Sequence, residues 1–352
     1  MITTKKIKEL KNNARAEVGV FYQTYSAYFQ GNNKRPGQYQ DASFLYIRAD
    51  EADIGDRPIA GVFWNSPDIE LYDNTGSAIA TNEMIAGRPY TVEVTVNNGG
   101  DADVSSCNVE LYICDPTLGF SQSSSTLLGT QAIPVLGQNR NKARFSVTAT
   151  PSFVGHRCLF GRVHSLLHRE IPLSFKVFDT VNDRHIGQQN LSIIGQAELL
   201  SMNFVLAGDK TSDNLTVTIT PIANLPEQLK RIKSLGNLQF SVNQNFLNQA
   251  VDQFSILPRD LKTNLFKHKQ SLQQFSKPSL AQKFKLPPTL DSSVLLKGSK
   301  GSWGFELLRG VQPVYLGVPK MGLQRGQAAA FYVEMTGVQK QKIGGITLIV
   351  KS

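Results

Sequence analysis

Tyr90, Val92, Val94 and Val96 alternate with Thr91, Glu93, Thr95 and Asn97. That period of two is the signature of a strand with one face on a core. NNGGDAD (97–103) ends it with turn chemistry, and Cys107, Val109, Leu111 and Ile113 then alternate along a second strand that stops at Asp115-Pro116. Ala143, Phe145 and Val147 continue the pattern, and strands are expected at 157–164, 173–178 and 189–194. Seven or so short strands separated by polar turns, with no helices between them, predict an antiparallel sandwich over 66–198. Leu215, Val217 and Ile219 alternate again, and AAFYVEMTG (329–337) with GGITLIVKS (344–352) reads as a terminal strand pair. A second sandwich over 199–352 follows. GLQRGQAAAFYVEM (322–335) echoes MIAGRPYTVEV (84–94), a repeat of fold rather than sequence.

Two stretches break the alternation. Residues 1–65 read as a tether: a short helix over 1–16 capped at Thr3 or Thr4, an aromatic segment at 18–30, and a loop-rich approach to 66. Within the second sandwich, Phe240, Leu247, Val251 and Phe254, and then Leu261, Leu265, Leu272 and Phe275, fall at helical spacing, which predicts a helical insertion over 226–288. The fold class is therefore mainly β, with two immunoglobulin-like antiparallel sandwiches, the second interrupted by a basic helical insertion.

Composition supports a large core, with 41% apolar and 18% charged residues in 352. No run of 18 apolar residues spans a membrane, and MITTKKIKELKNN lacks the apolar region of a secretory signal, so the expectation is cytoplasmic synthesis with assembly or export by a non-Sec route. Charge changes the picture more. Between Pro226 and Lys300 stand twelve basic and four acidic residues, a local excess of +8 within a chain whose net charge is +9. So concentrated a field favours an acidic partner, and Lys262, Lys267, Lys269, Lys283 and Lys285 are its candidate contacts. That partner is an acidic protein surface in preference to nucleic acid, with an anionic membrane a third class. Against all three stands a solvated helical face that only keeps the chain soluble, favoured because the interleaved aromatics of a nucleic-acid platform are missing.

SPDIEL (66–71), IAGRPYTVEVTVNNGG (85–100), VELYICDP (109–116) and GHRCLFGRVHS (155–165) resemble a bacterial cell-adhesion-related (CARDB-like) immunoglobulin-type domain over about 66–195. The strand at 90–97 carries no Cys, so the inter-sheet disulfide of antibody domains is absent. The resemblance implies a structural, adhesion or interaction role without catalysis, and the missing secretory signal fits a component of a larger bacterial or phage-like assembly better than a free surface adhesin.

Catalytic signatures are missing: there is no G-x-S-x-G, H-E-x-x-H or phosphate loop, and GSKGSWG (298–304) lacks the Lys-Ser/Thr ending. No cofactor is expected. His156, Cys158, His164 and His168 crowd thirteen residues, and the first three share a face of an extended strand, the basis of an alternative reading as a metal-dependent hydrolase. At ~3.3 Å per residue His156 and His164 stand about 26 Å apart, too far for one ion. Asp50, Glu51, Asp53 and Asp56 form an oxygen-rich loop without the Asp-x-Asp-x-Asp-Gly ladder of a calcium site. Three cysteines leave at least one free thiol, and Cys107 with Cys158, on separate predicted strands, remains open as a pair.

Overall fold

The structure is a computed structural model. It describes residues 35, 42–115, 117–118, 122–153, 155–206, 212–241, 243–258, 266–268, 273–275, 293–295, 301–308 and 310–352. The expected N-terminal helix and the segment at 18–30 lie outside these residues, as do Lys262, Lys269, Lys283 and Lys285.

In chain order the strands are β1 (Leu45–Tyr46), β2 (Ile69–Tyr72), β3 (Pro89–Asn98), β4 (Val104–Cys114), β5 (Thr117–Leu118), β6 (Thr126–Val135), β7 (Arg140–Thr148), β8 (Cys158–His164), β9 (Ile186–Gly195), β10 (Leu199–Leu206) and β11 (Ser212–Pro221). After them come helix α1 (Glu227–Lys230), β12 (Gln239–Phe240), helix α2 (Gln244–Val251) and β13 (Ser255–Pro258). The remaining strands are β14 (Phe266–His268), β15 (Gln273–Phe275), β16 (Ser293–Leu295), β17 (Ser302–Leu308), β18 (Gly310–Gly317), β19 (Gln327–Gly337) and β20 (Lys342–Lys351). The chain is mainly β, as its alternation predicts.

Strands from both predicted halves join one ten-stranded sheet, ordered β14-β17-β11-β19-β20-β9-β8-β4-β6 with β12 beside β19. The joint is a parallel pair, Leu191 opposite Thr347 through Gly195 opposite Lys351. Two smaller sheets cover it. One, of β1, β2, β3 and β7, packs Val92, Val94 and Phe145 onto Val109, Leu111, Leu159 and Val163. The other, of β5, β10, β18 and β13, packs Leu200, Met202 and Val314 onto Leu215, Val217, Phe331 and Leu348. Register puts the two cores on opposite faces. Leu159 stands opposite Gln189, whose face continues through Leu191 and Ile193 to Ile349, whereas Leu348 and Val350, the neighbours of Ile349, belong to the second core. The two cores thus lie on one shared sheet and not in two separate ones, because β9 lends one edge to β8 and the other to β20.

Two expectations are corrected here. In the predicted helical insertion α1 is a single turn behind Pro226 and α2 covers eight residues, Phe254 leads directly into strand β13, where Ile256 pairs with Leu316, and Leu261, Leu265 and Leu272 lie outside the described residues. Phe275 lies in β15 and Lys267 in β14, opposite Glu306, and neither is in a helix. Likewise 173–178 is an irregular connection rather than a strand. Pro172 breaks it, and its N–H groups turn to side chains, Leu173 N to Asp183 Oδ2 (2.7 Å) and Lys176 N to Ser174 Oγ (3.0 Å).

Trp64 and the segment 222–235 close the outer face behind the joint. Trp64 is wholly buried and donates through Nε1 to Thr347 Oγ1 (3.1 Å), which donates to Asn65 Oδ1 (2.7 Å). A Cβ at Gly345 would overlap the Trp64 ring, and the Gly345 backbone is fixed opposite Glu334. Gly345→Ala is expected to cost roughly 3 kcal/mol, read as a melting temperature several degrees lower; an unchanged melt would place Trp64 elsewhere.

Candidate interaction site on the connection between β8 and β9

β8 runs from Cys158 to His164, so these two predicted residues stand at its opposite ends, with His156 before it and His168 beyond it. His156 precedes the strand, and burial drops its pKa to about 4. Cys158 is fully buried, and burial pushes its thiol well above the ordinary range. His164 meets Phe175 edge-on with centroids 5.3 Å apart, and burial lowers its pKa as well. His168 Nε2 accepts from Ser105 N (3.2 Å) and faces Ser105 Oγ (3.1 Å), which pins a hairpin tip to β4. Among the described residues no group of three His, Cys, Asp or Glu is arranged to hold a metal ion.

The acidic loop is satisfied from within. Asp53 accepts from Ala49 N (2.7 Å), Gly55 N (2.7 Å) and the buried Arg57 (3.0 Å). Asp50 accepts from Ala52 N (2.9 Å), and Asp56 accepts from Arg35 N (2.7 Å). These carboxylates shape a turn.

A different constellation stands behind β8. The connection from Ser165 to His185 is long for one without regular structure, a length that marks functional loops. It is tied down throughout. Ser165 and Glu170 exchange backbone hydrogen bonds (2.7 and 2.9 Å) around a tip at 166–169, where Arg169 adopts φ 58°. Arg162, buried under the connection, donates to Phe175 O (2.9 Å), Tyr112 Oη (2.7 Å) and Glu110 Oε2 (2.6 Å). Phe178 stacks on Phe160 at 4.9 Å.

Its far end is a charged clasp. His185 lies between Asp183 (Nδ1···Oδ1 2.8 Å) and Glu170 (Nε2···Oε2 2.9 Å), all three buried. Arg184 adds a 2.9 Å contact to Glu170, and Ser43 Oγ donates to its other oxygen (2.7 Å). Burial and Arg184 oppose the imidazolium, yet the two carboxylates outweigh them and raise the His185 pKa. Burial works against the Glu170 carboxylate too, but the His185 hydrogen bond and the Arg184 charge hold it at about 2. Ser43 donates to a carboxylate, not to an imidazole, so the order serves clamping and not activation of a nucleophile.

On this braced scaffold the sequence displays apolar side chains. Leu166 is 68% exposed, Leu167 78%, Leu173 51% and Phe175 41%. They are four of the nine exposed large apolar residues among the described ones, gathered within ten positions. Arg169 lies between them and Lys176 directly follows Phe175, both exposed, whereas Glu170 is buried. Sequence reading singled out His164 and His168 but missed the leucines and the clasp. The Leu-Leu doublet before His168 was the available signal, since two adjacent leucines cannot both face one core from a strand.

No family model matches the chain, and no curated protein does. A crystal structure of a CARDB domain from Pyrococcus furiosus, in complex with di-metal ions, is similar at 15% identity and TM-score 0.26, over 44% of this chain and 96% of that one. A solution structure of that domain is similar at 17% identity and TM-score 0.22, over 36% and 94%. A β-glucosidase from Kluyveromyces marxianus is similar at 12% identity and TM-score 0.20, over 39% of this chain and 15% of the enzyme. Among the described residues no helix is long and apolar enough to cross a membrane.

Proposed function

We propose that the chain is a non-enzymatic interaction module, CARDB-like over residues 66–195, that docks a partner protein through the connection between β8 and β9. The crowding of Leu166, Leu167, Leu173 and Phe175 on a tied-down backbone carries this reading. Clustered apolar groups left in water mark a contact surface. Rigid display reduces the ordering cost of association, so the area is better converted into affinity. Lys176, exposed beside Phe175, supplies a cation at the edge of the patch, which fits a partner surface with an apolar centre and carboxylates around it. The lysine-rich stretch carrying Lys262, Lys267, Lys269, Lys283 and Lys285 extends the same preference.

The test places a photo-reactive amino acid at Leu167 and, separately, at Val338, an exposed apolar residue remote in sequence. One partner is expected to cross-link at 167 and not at 338. That partner, once purified, should bind the wild-type chain and lose roughly tenfold or more in affinity on Leu167→Ser, with Val338→Ser unchanged and binding weaker at higher salt. Identical cross-linking at both positions, or unchanged affinity for Leu167→Ser, would remove the reading.

A further inference from the structure

We propose that Cys114 and Cys158 are a redox-active pair that closes into a reversible cross-strand disulfide, a modification site separate from the docking surface and independent of it. Cys114 ends β4, Cys158 opens β8, and the antiparallel register sets them directly opposite each other. Both are free thiols, pack with Tyr112, Phe160, Phe178 and Ile186, and lie in side-chain hydrogen-bond contact. Directly opposed residues have Cα atoms about 4.5–5.5 Å apart, inside the range of about 4.4–6.8 Å that a disulfide spans. Their Cβ atoms, about 4.5–5.5 Å apart, need to draw in toward about 3.5–4.5 Å. The bond therefore requires local tightening without rearrangement, and that tightening keeps it reducible.

Cys107 is excluded as a partner, which corrects the open pairing with Cys158. It lies on the opposite face of β4, in the first core, where its Sγ donates to Ile133 O (3.3 Å) and burial pushes its pKa up to about 12.

The pair is buried, so access comes from its position at two strand ends, which open more readily than strand centres. The co-reactant is a low-molecular-weight disulfide. One cysteine thiolate attacks it, forming a mixed disulfide and releasing one small thiol; the second cysteine attacks that bond and releases another. The protein loses two S–H bonds and gains one S–S bond, while the reagent takes two electrons and the two protons. The closed loop, residues 115–157, carries β5, β6 and β7, so oxidation staples that excursion to the sheet beneath Phe160 and Phe178.

The full chain is equilibrated with excess oxidised glutathione, alkylated under denaturing conditions and mapped by mass spectrometry. Arg157 directly precedes Cys158 and Tyr112 lies between Cys107 and Cys114, so trypsin with chymotrypsin puts the three cysteines on separate peptides. Expected are joint loss of Cys114 and Cys158 from alkylation, one cross-linked peptide pair, Cys107 still alkylated, and a melting temperature raised by roughly 5–10 °C, all reversed by dithiothreitol. Cys107→Ser should behave as wild type, and Cys114→Ser should show neither cross-link nor shift. Persistent alkylation of both cysteines, separate glutathione adducts, or a link to Cys107 would overturn the proposal. The wild-type peptide map decides this even if a serine variant fails to fold.

Discussion

Val94→Asp is expected to unfold the first core, losing about 4 kcal/mol or more and leaving little soluble protein at 37 °C. Val94 is fully buried in mid-strand, paired with Ile69 on one side and Ala143 on the other. Its Cγ1 stands only 2.9 Å from where a Cβ on Gly161 would be, so the missing side chain of β8 makes the room that Val94 fills. A carboxylate placed there faces Val109, Leu111 and Leu159 in place of a cation or water. Ser146→Asp on the exposed side of β7 is the control and should move stability by no more than about 0.5 kcal/mol. A Val94→Asp protein that melts within a few degrees of wild type would mean that β3 presents its other face to the core.

Local pairing is what the sequence made legible. β3, β4, β7 and β11 announce themselves by alternation, because each keeps one face on a core and much of the other toward polar surroundings. The joint does not. In β9 Gln188, Asn190 and Ser192 are as buried as Leu191 and Ile193, since a strand between two neighbours with both faces covered loses the polar side that alternation needs. Nothing in 189–194 says that its second edge belongs to the last strand of the chain, so two separate sandwiches were expected where one sheet serves both. Helical spacing at Phe240, Leu247, Val251 and Phe254 was half right: Leu247 and Val251 do face the second core from α2, while Phe240 falls in β12. At the site, His164 and His168 drew notice as metal-ligand types. The informative neighbours were Glu170, Asp183 and His185, whose meeting depends on a connection folding back on itself, which residue spacing does not encode.

His185→Leu is expected to cost about 3 kcal/mol near pH 6, because it strands Glu170 and Asp183 as buried carboxylates with one cation fewer between them. The pH dependence identifies the cause. The folded pKa of His185 lies above its ordinary value of 6.5, so its ion-pair contribution is complete below about 6.5 and is lost as pH rises through the folded value. Glu170, held at about 2 against an ordinary 4.5, contributes fully above about 4.5 and loses that contribution as pH falls toward 2. His156 and His164, whose pKa values are lowered by burial, impose their own slope, with stability falling as pH drops below about 6.5, but they are common to both proteins and cancel in the difference. Urea midpoints of wild type and His185→Leu between pH 4 and 9 should therefore differ most from about 4.5 to 6.5 and converge above it. A difference that stays constant to pH 9 would mean that His185 is neutral in the fold and that the clasp is held by hydrogen bonds alone. The clasp anchors the chain end of the connection that carries Leu166, Leu167, Leu173 and Phe175, so the same variant, kept folded at low temperature, should also bind the partner more weakly although His185 is itself buried away from it.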